Sequence, residues 1–168
     1  MLSVKVGDAP AALRASVFAL KAADKEIRSD ISKRMRGTMN PVWRDQVTAG
    51  VHGGMAARML LPGTRIAAGN PPALIAASGN RKTGRGLTPN KSAAGFEFGA
   101  NDSTRQVRSG RGPNRTYSRH VMRHLPGRNP KGHVVYPAAA RVLPRVAAFW
   151  AQSVVRAFLD AAEKGQEG

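Results

Sequence analysis

Residues 93–102 read "AAGFEFGAND", and the fold turns on whether this glycine-punctuated stretch is strand or helix. Alternation of Phe96, Glu97 and Phe98 between Gly95 and Gly99 predicts a short strand, with the phenylalanines on one face and Glu97 on the other. The glutamate is out of place in its neighbourhood. From Arg81 to Lys131 the chain carries twelve lysines and arginines but only two acids, Glu97 and Asp102. On a strand face kept bare by glycine, the expected partner of Glu97 is an arginine, most naturally from another copy of the chain.

Working outward, "TRIAAG" at 64–69 and "PALIAAS" at 72–78 are short apolar runs bounded by Gly, Pro and Asn, which is strand-and-turn punctuation. Upstream, Asp8 and Pro10 signal a helix start, and Leu13, Val17, Leu20, Ile27, Ile31 and Met35 form one apolar stripe ending near Gly37. A second start is expected at Asn40-Pro41, with Val42, Trp43 and Val47 on a separate short helix. "MAARMLL" at 55–61 predicts one or two helical turns stopped by Pro62-Gly63. Downstream of "VVYP", the residues Val142, Val146, Phe149, Trp150, Val154, Phe158 and Leu159 mark a last amphipathic helix, with Pro144 starting or kinking it. The resulting expectation is a single α+β domain over 1–168. In it a long N-terminal helix and a C-terminal helix pack on an antiparallel sheet.

Between the sheet and the last helix, residues 101–132 read as a long basic loop or extended arm. Arg105, Arg108, Arg111, Arg115, Arg119, Arg123 and Arg128 recur every three to five residues. The stretch Thr116–His124 is predicted to turn helical, which would bring His120 and His124 together. Those histidines have the spacing of two metal ligands, but Arg119 and Arg123 would repel a cation. A second basic loop, "GNRKTGRGLTPNKS" at 79–92, presents Arg81, Lys82 and Arg85 without phosphate-cradle spacing. These three are the tentative nucleic-acid contacts.

Composition narrows the function classes. Absence of cysteine excludes disulfides and thiolate metal sites. No apolar run is long enough to span a bilayer, because Arg141 and Arg145 interrupt the best candidate. No nucleophile elbow, catalytic triad or carboxylate pair is present, so neither an enzyme nor a cofactor or metal site is expected. With a formal charge of +17, the chain repels its own copies and calls for an anionic partner, either nucleic acid or an acidic protein face. Aromatic residues are only 5% of the chain, so the core is expected to be thin and finished by neighbours. The sequence is read as a soluble protein made in the cytoplasm.

The order of motifs resembles the neck and tail-completion (head–tail connector) proteins of long-tailed bacteriophages. It runs from an amphipathic N-terminal helix through "AARMLLPGTR", "GFEFGA" and "VYPAAARVLP" into a last amphipathic helix, covering nearly the whole chain. Glu97, Phe98 and Gly99 match that family's acidic-Phe-Gly segment, and Pro137-Ala138 its Pro-Ala step. Tyr136 stands where the family has Phe, the Thr-Gly-x-Leu-Arg step is weak, and the basic arm is longer than usual. The resemblance implies a structural virion subunit without enzymatic activity, assembled in the host cytoplasm into a six-fold ring at the head–tail junction. Its implied partners are copies of itself, the head-connector or stopper protein, the tail-terminator or tail-tube protein, and genomic DNA in the channel through non-specific contact. The implied interface residues are Glu97, Phe98, Arg105, Arg108, Arg111, Arg115, Arg119, Arg123 and Tyr136. The alternative left by charge alone is a free-standing nucleic-acid-binding protein.

Overall fold

The computed structural model describes residues 1–5, 21, 23, 25–83, 86–101, 103–108, 116–121 and 124–166. The start of the first helix expected from Asp8, with Leu13, Val17 and Leu20, lies outside these residues. Helix α1 spans Lys25–Gly50 and buries Ile31, Met35, Met39, Trp43 and Val47. A strict four-residue spacing drifts by about 40° per step on a helix of 3.6 residues per turn. The buried stripe therefore winds around α1, which packs on both the last helix and the sheet.

The expected break at Asn40-Pro41 does not occur: both residues lie inside α1. Pro41 forfeits one helical hydrogen bond, a cost of about 3 kcal/mol. Burial of Met35, Met39 and Val47 on the continuing stripe outweighs it, at about 1.5–3 kcal/mol per side chain. Asn40 acts elsewhere. Its side-chain oxygen accepts the Ile66 N–H at 2.7 Å, which covers a donor at the edge of the sheet.

The sheet has three antiparallel strands in the order β1-β3-β2, formed by Leu2–Lys5 (β1), Arg65–Ala67 (β2) and Ala73–Ala76 (β3). Leu2 pairs with Ala76, and Arg65 with Ile75. Central β3 is covered on both faces, which is why "ALIA" is apolar throughout instead of alternating. Helix α2, Gly54–Leu60, ends before Pro62-Gly63 as its punctuation predicts. The Trp43 indole N–H donates to the Ile75 carbonyl at 2.9 Å, in the buried interior. Trp43→Phe removes this buried hydrogen bond and part of the indole's volume, and should cost about 1–3 kcal/mol of unfolding free energy in urea titrations. A cost below about 0.5 kcal/mol, the usual surface-substitution range, would show that the bond does not hold helix to sheet.

Helix α3 is Pro89–Phe98 and helix α4 is Val135–Gln166. Pro144 lies within α4 and neither starts nor splits it. Val135, Ala138, Ala139, Val142, Val146, Trp150 and Val154 of α4 are buried, at the three- and four-residue spacings of one helical face. Contacts between Arg141 and Gln46 at 3.3 Å and between Arg34 and Asp160 at 3.4 Å set α4 antiparallel to α1. The described chain is thus a mix of helices with a small antiparallel sheet, and α1 and α4 pack chiefly on each other. Among the described residues, no helix is long and apolar enough to cross a membrane.

Candidate functional site

The decisive stretch is helical. Thr88 precedes the first turn, Pro89 occupies a position where a missing N–H costs nothing, and the helix runs through Phe98. The strand expected from Phe96-Glu97-Phe98 is therefore corrected. Phe96 and Glu97 are neighbours and both are buried, which strand alternation on a half-covered sheet does not allow. Glu97 is fully buried, at 0% exposure.

Its partner is main chain, not arginine. One carboxylate oxygen accepts the N–H of Val135 at 2.8 Å and of Val134 at 3.2 Å, and the other accepts that of Tyr136 at 2.9 Å. These are the donors at the start of α4. The first four N–H groups of a helix have no partner within it. Here three of the four positions donate to Glu97, and the fourth is Pro137, which has no N–H. The first bond within the helix follows at once, from Ala138 N–H to Val134 carbonyl at 3.0 Å. The count closes. A carboxylate at this place also faces the positive end of a 32-residue helix. The expected arginine contact across a subunit boundary is replaced by this contact within the chain, and Glu97 offers no surface to a neighbour.

The rest of the motif serves the same closure. The Phe98 and Tyr136 rings meet with centroids 5.3 Å apart and planes inclined by 49°. The Glu97 carbonyl accepts the His133 N–H at 2.9 Å, and the Phe98 carbonyl accepts the Asn129 N–H at 2.8 Å. Gly99 lies at φ 69°, ψ −173°, a region essentially reserved for glycine. A Cβ there would run into the carbonyl oxygens of Pro126 and Gly127. Gly132, at φ +79°, lets the chain pass so close to the Glu97 carboxylate that a Cβ would collide with it. Residues 97–99 thus form a clasp on the segment 126–138.

No family model, curated protein or solved structure matches this chain.

Two segments of the basic stretch 101–132 are strands. Strands β4, Ser103–Arg108, and β5, Thr116–Val121, pair antiparallel as a hairpin. The helix expected over 116–124 is corrected for Thr116–Val121, which is strand; residues 109–115, 122 and 123 of the expected arm lie outside the described residues. β-branched and aromatic residues at Thr104, Val107, Thr116, Tyr117 and Val121 favour strand. Arg105 sits directly across from Arg119, and Arg108 across from Thr116. Arg111, Arg115 and Arg123 lie outside the described residues. Arg81 and Lys82 are exposed on the loop between β3 and α3, and Arg85 lies outside the described residues.

One grouping escaped the sequence reading. His52, His124 and His133 line one open cavity with Met55, Phe96 and Leu125. Their distance apart in the sequence gave no signal, and His133 is in any case engaged with the Gly127 carbonyl at 2.8 Å. Among the described residues, no group of three or more His, Cys, Asp or Glu is placed to hold a metal ion.

Proposed function

We propose that this chain is a structural subunit of the head–tail junction of a long-tailed bacteriophage. In this reading it assembles as a six-fold ring between the head connector and the tail, and contributes no catalytic step. One observation supports it. The two segments that carry the resemblance, Glu97-Phe98-Gly99 and Tyr136-Pro137-Ala138, are far apart in sequence yet lock together as the two sides of one clasp. Motifs joined in this way have a shared physical reason to occur together, namely fixing the start of the last helix.

In such a ring each subunit presents two different faces to its two neighbours. Tyr136, at 38% exposure, and the half-buried Phe98 beside it are the residues at the clasp that a neighbour can reach. Glu97 serves the ring indirectly, by setting the direction of α4.

The test is to image particles assembled with a peptide-tagged copy of the chain and a gold-labelled antibody. Label is expected at the junction of head and tail. Label along the tail, over the capsid or absent from finished particles would reject the assignment.

A further inference from the structure

The clasp uses the start of α4, and the far half of the same helix has a face that the fold leaves open. On a helix of 3.6 residues per turn, Pro144, Ala148, Val155 and Leu159 lie on the side opposite the buried Val142, Val146 and Trp150. All four are exposed, Val155 at 57% and Leu159 at 59%. The run from Val146 to Val155 has no charged side chain, in a protein whose formal charge is +17. One exposed aliphatic residue is ordinary. Two bulky ones a turn apart on an uncharged face mark a contact surface.

The charges beside this face identify its occupant. Arg145, Gln152, Arg156 and Glu163 follow at spacings of seven, four and seven residues, which keeps them on one flank of the apolar face. All four are exposed. The series is symmetric about Val154, because Arg145 and Glu163 lie equally far to either side of it, as do Gln152 and Arg156. When two copies of α4 meet antiparallel about a two-fold axis, like flanks face each other. Arg145 then stands beside Glu163 of the partner subunit and Arg156 beside Gln152 of the partner subunit, each contact occurring twice. Parallel pairing would instead set arginine against arginine and glutamate against glutamate. The other flank, with the half-buried Ala147, Ala151 and Phe158, adds no charge. At the centre Val155 meets Val155 of the partner subunit. Leu159 meets Ala148 of the partner subunit, whose small side chain permits close approach of the helix axes. A self-complementary patch is what a two-fold interface between identical subunits requires. A nucleic acid would gain nothing from an uncharged face.

We propose that two copies of this chain pair antiparallel through the outer face of α4, with Val155 and Leu159 at the centre and Arg145 on Glu163 of the partner subunit. Two helix faces make a contact at the small end of specific interfaces, so a reversible dimer with micromolar affinity is expected. The clasp lies at the other end of α4. The pairing and the place at a head–tail junction can therefore each hold without the other.

Sedimentation velocity of the purified full-length protein, over a concentration series spanning the micromolar range, tests the pairing. A monomer–dimer equilibrium is expected. The variant Val155→Gln, Leu159→Gln should weaken it by more than about tenfold, and melting curves should show the fold unchanged because both side chains are already exposed. Arg145→Glu should weaken the dimer about tenfold, since two ion pairs become two like-charge pairs. It does so although it lowers the net charge and with it the general repulsion between copies. Glu163→Arg should act likewise, and Arg145→Glu with Glu163→Arg should restore the parent affinity to within about threefold. Arg58→Glu makes the same charge change at an exposed position of α2 and should not weaken the dimer. Three results would overturn the proposal: a monomer at every concentration, an oligomer indifferent to Val155 and Leu159, or no rescue by the double exchange. The first would leave the face to a different protein, and the last would exclude the antiparallel register.

Discussion

Replacing Glu97 with alanine should lower the unfolding free energy by about 3–5 kcal/mol, the range for stripping one partner from a buried charged contact. For a chain of this size that is roughly 6–20 °C in melting midpoint. The loss has identifiable parts. The N–H groups of Val134, Val135 and Tyr136 lose their acceptor, and each unsatisfied buried donor costs about 1–3 kcal/mol. Water entering the vacated space recovers some of that. Glu97→Gln is more diagnostic because it leaves the volume filled. It keeps one acceptor oxygen but turns an NH2 group against N–H donors, so about 2–3 kcal/mol should still be lost. Urea titrations with unchanged slopes measure the cost, and hydrogen exchange at Val135 and Tyr136 locates it. If the Gln variant lies within about 0.5 kcal/mol of the parent, the carboxylate is not what holds the start of α4.

This prediction reverses the one the sequence invites, and the reason is physical. Backbone N–H groups occur at nearly every residue and leave no mark in a sequence, so a carboxylate that serves a helix start looks like one awaiting an arginine. The faint clue was Pro137, which removes the one donor that Glu97 does not reach. Alternation of Phe96 and Phe98 between glycines imitated a strand because α3 is enclosed near its C-terminal end, where adjacent residues Phe96 and Glu97 are both buried. Asn40-Pro41 imitated a helix start for a similar reason: local capping chemistry was present, but Met39, Trp43 and Val47 carried the burial pattern through it. Where periodicity and punctuation agreed, at β2, β3, α2 and the face of α4 marked by Val142, Val146, Trp150 and Val154, the residues alone were enough, although Leu159, expected on that face, is exposed. Over Thr116–Val121, part of the stretch read as helical, the β-branched and aromatic residues Thr116, Tyr117 and Val121 favour strand instead.

Gly99 provides the sharpest test of whether the clasp is one unit. Gly99→Ala should cost about 3 kcal/mol or more, combining about 1–3 kcal/mol of backbone strain with a collision against the Pro126 and Gly127 carbonyls. Neither oxygen can yield freely, because the same segment accepts the Ala100 N–H at 3.0 Å through Pro126. Gly37→Ala offers an internal contrast. That glycine is inside α1, and a Cβ there meets nothing within 4 Å. It should stabilise the protein by about 0.5–1 kcal/mol through helix propensity alone. The same chemical change thus carries opposite signs at two sites of one chain. Coupling follows from the geometry as well. Displacing residues 126–133 to make room for the added methyl group also withdraws the chain leading into Val134–Tyr136 from the carboxylate. The double variant Glu97→Gln, Gly99→Ala should therefore lose less than the sum of the single losses, by about 1–2 kcal/mol. Additivity within about 0.5 kcal/mol would mean that the turn at Gly99 and the carboxylate of Glu97 hold α4 separately.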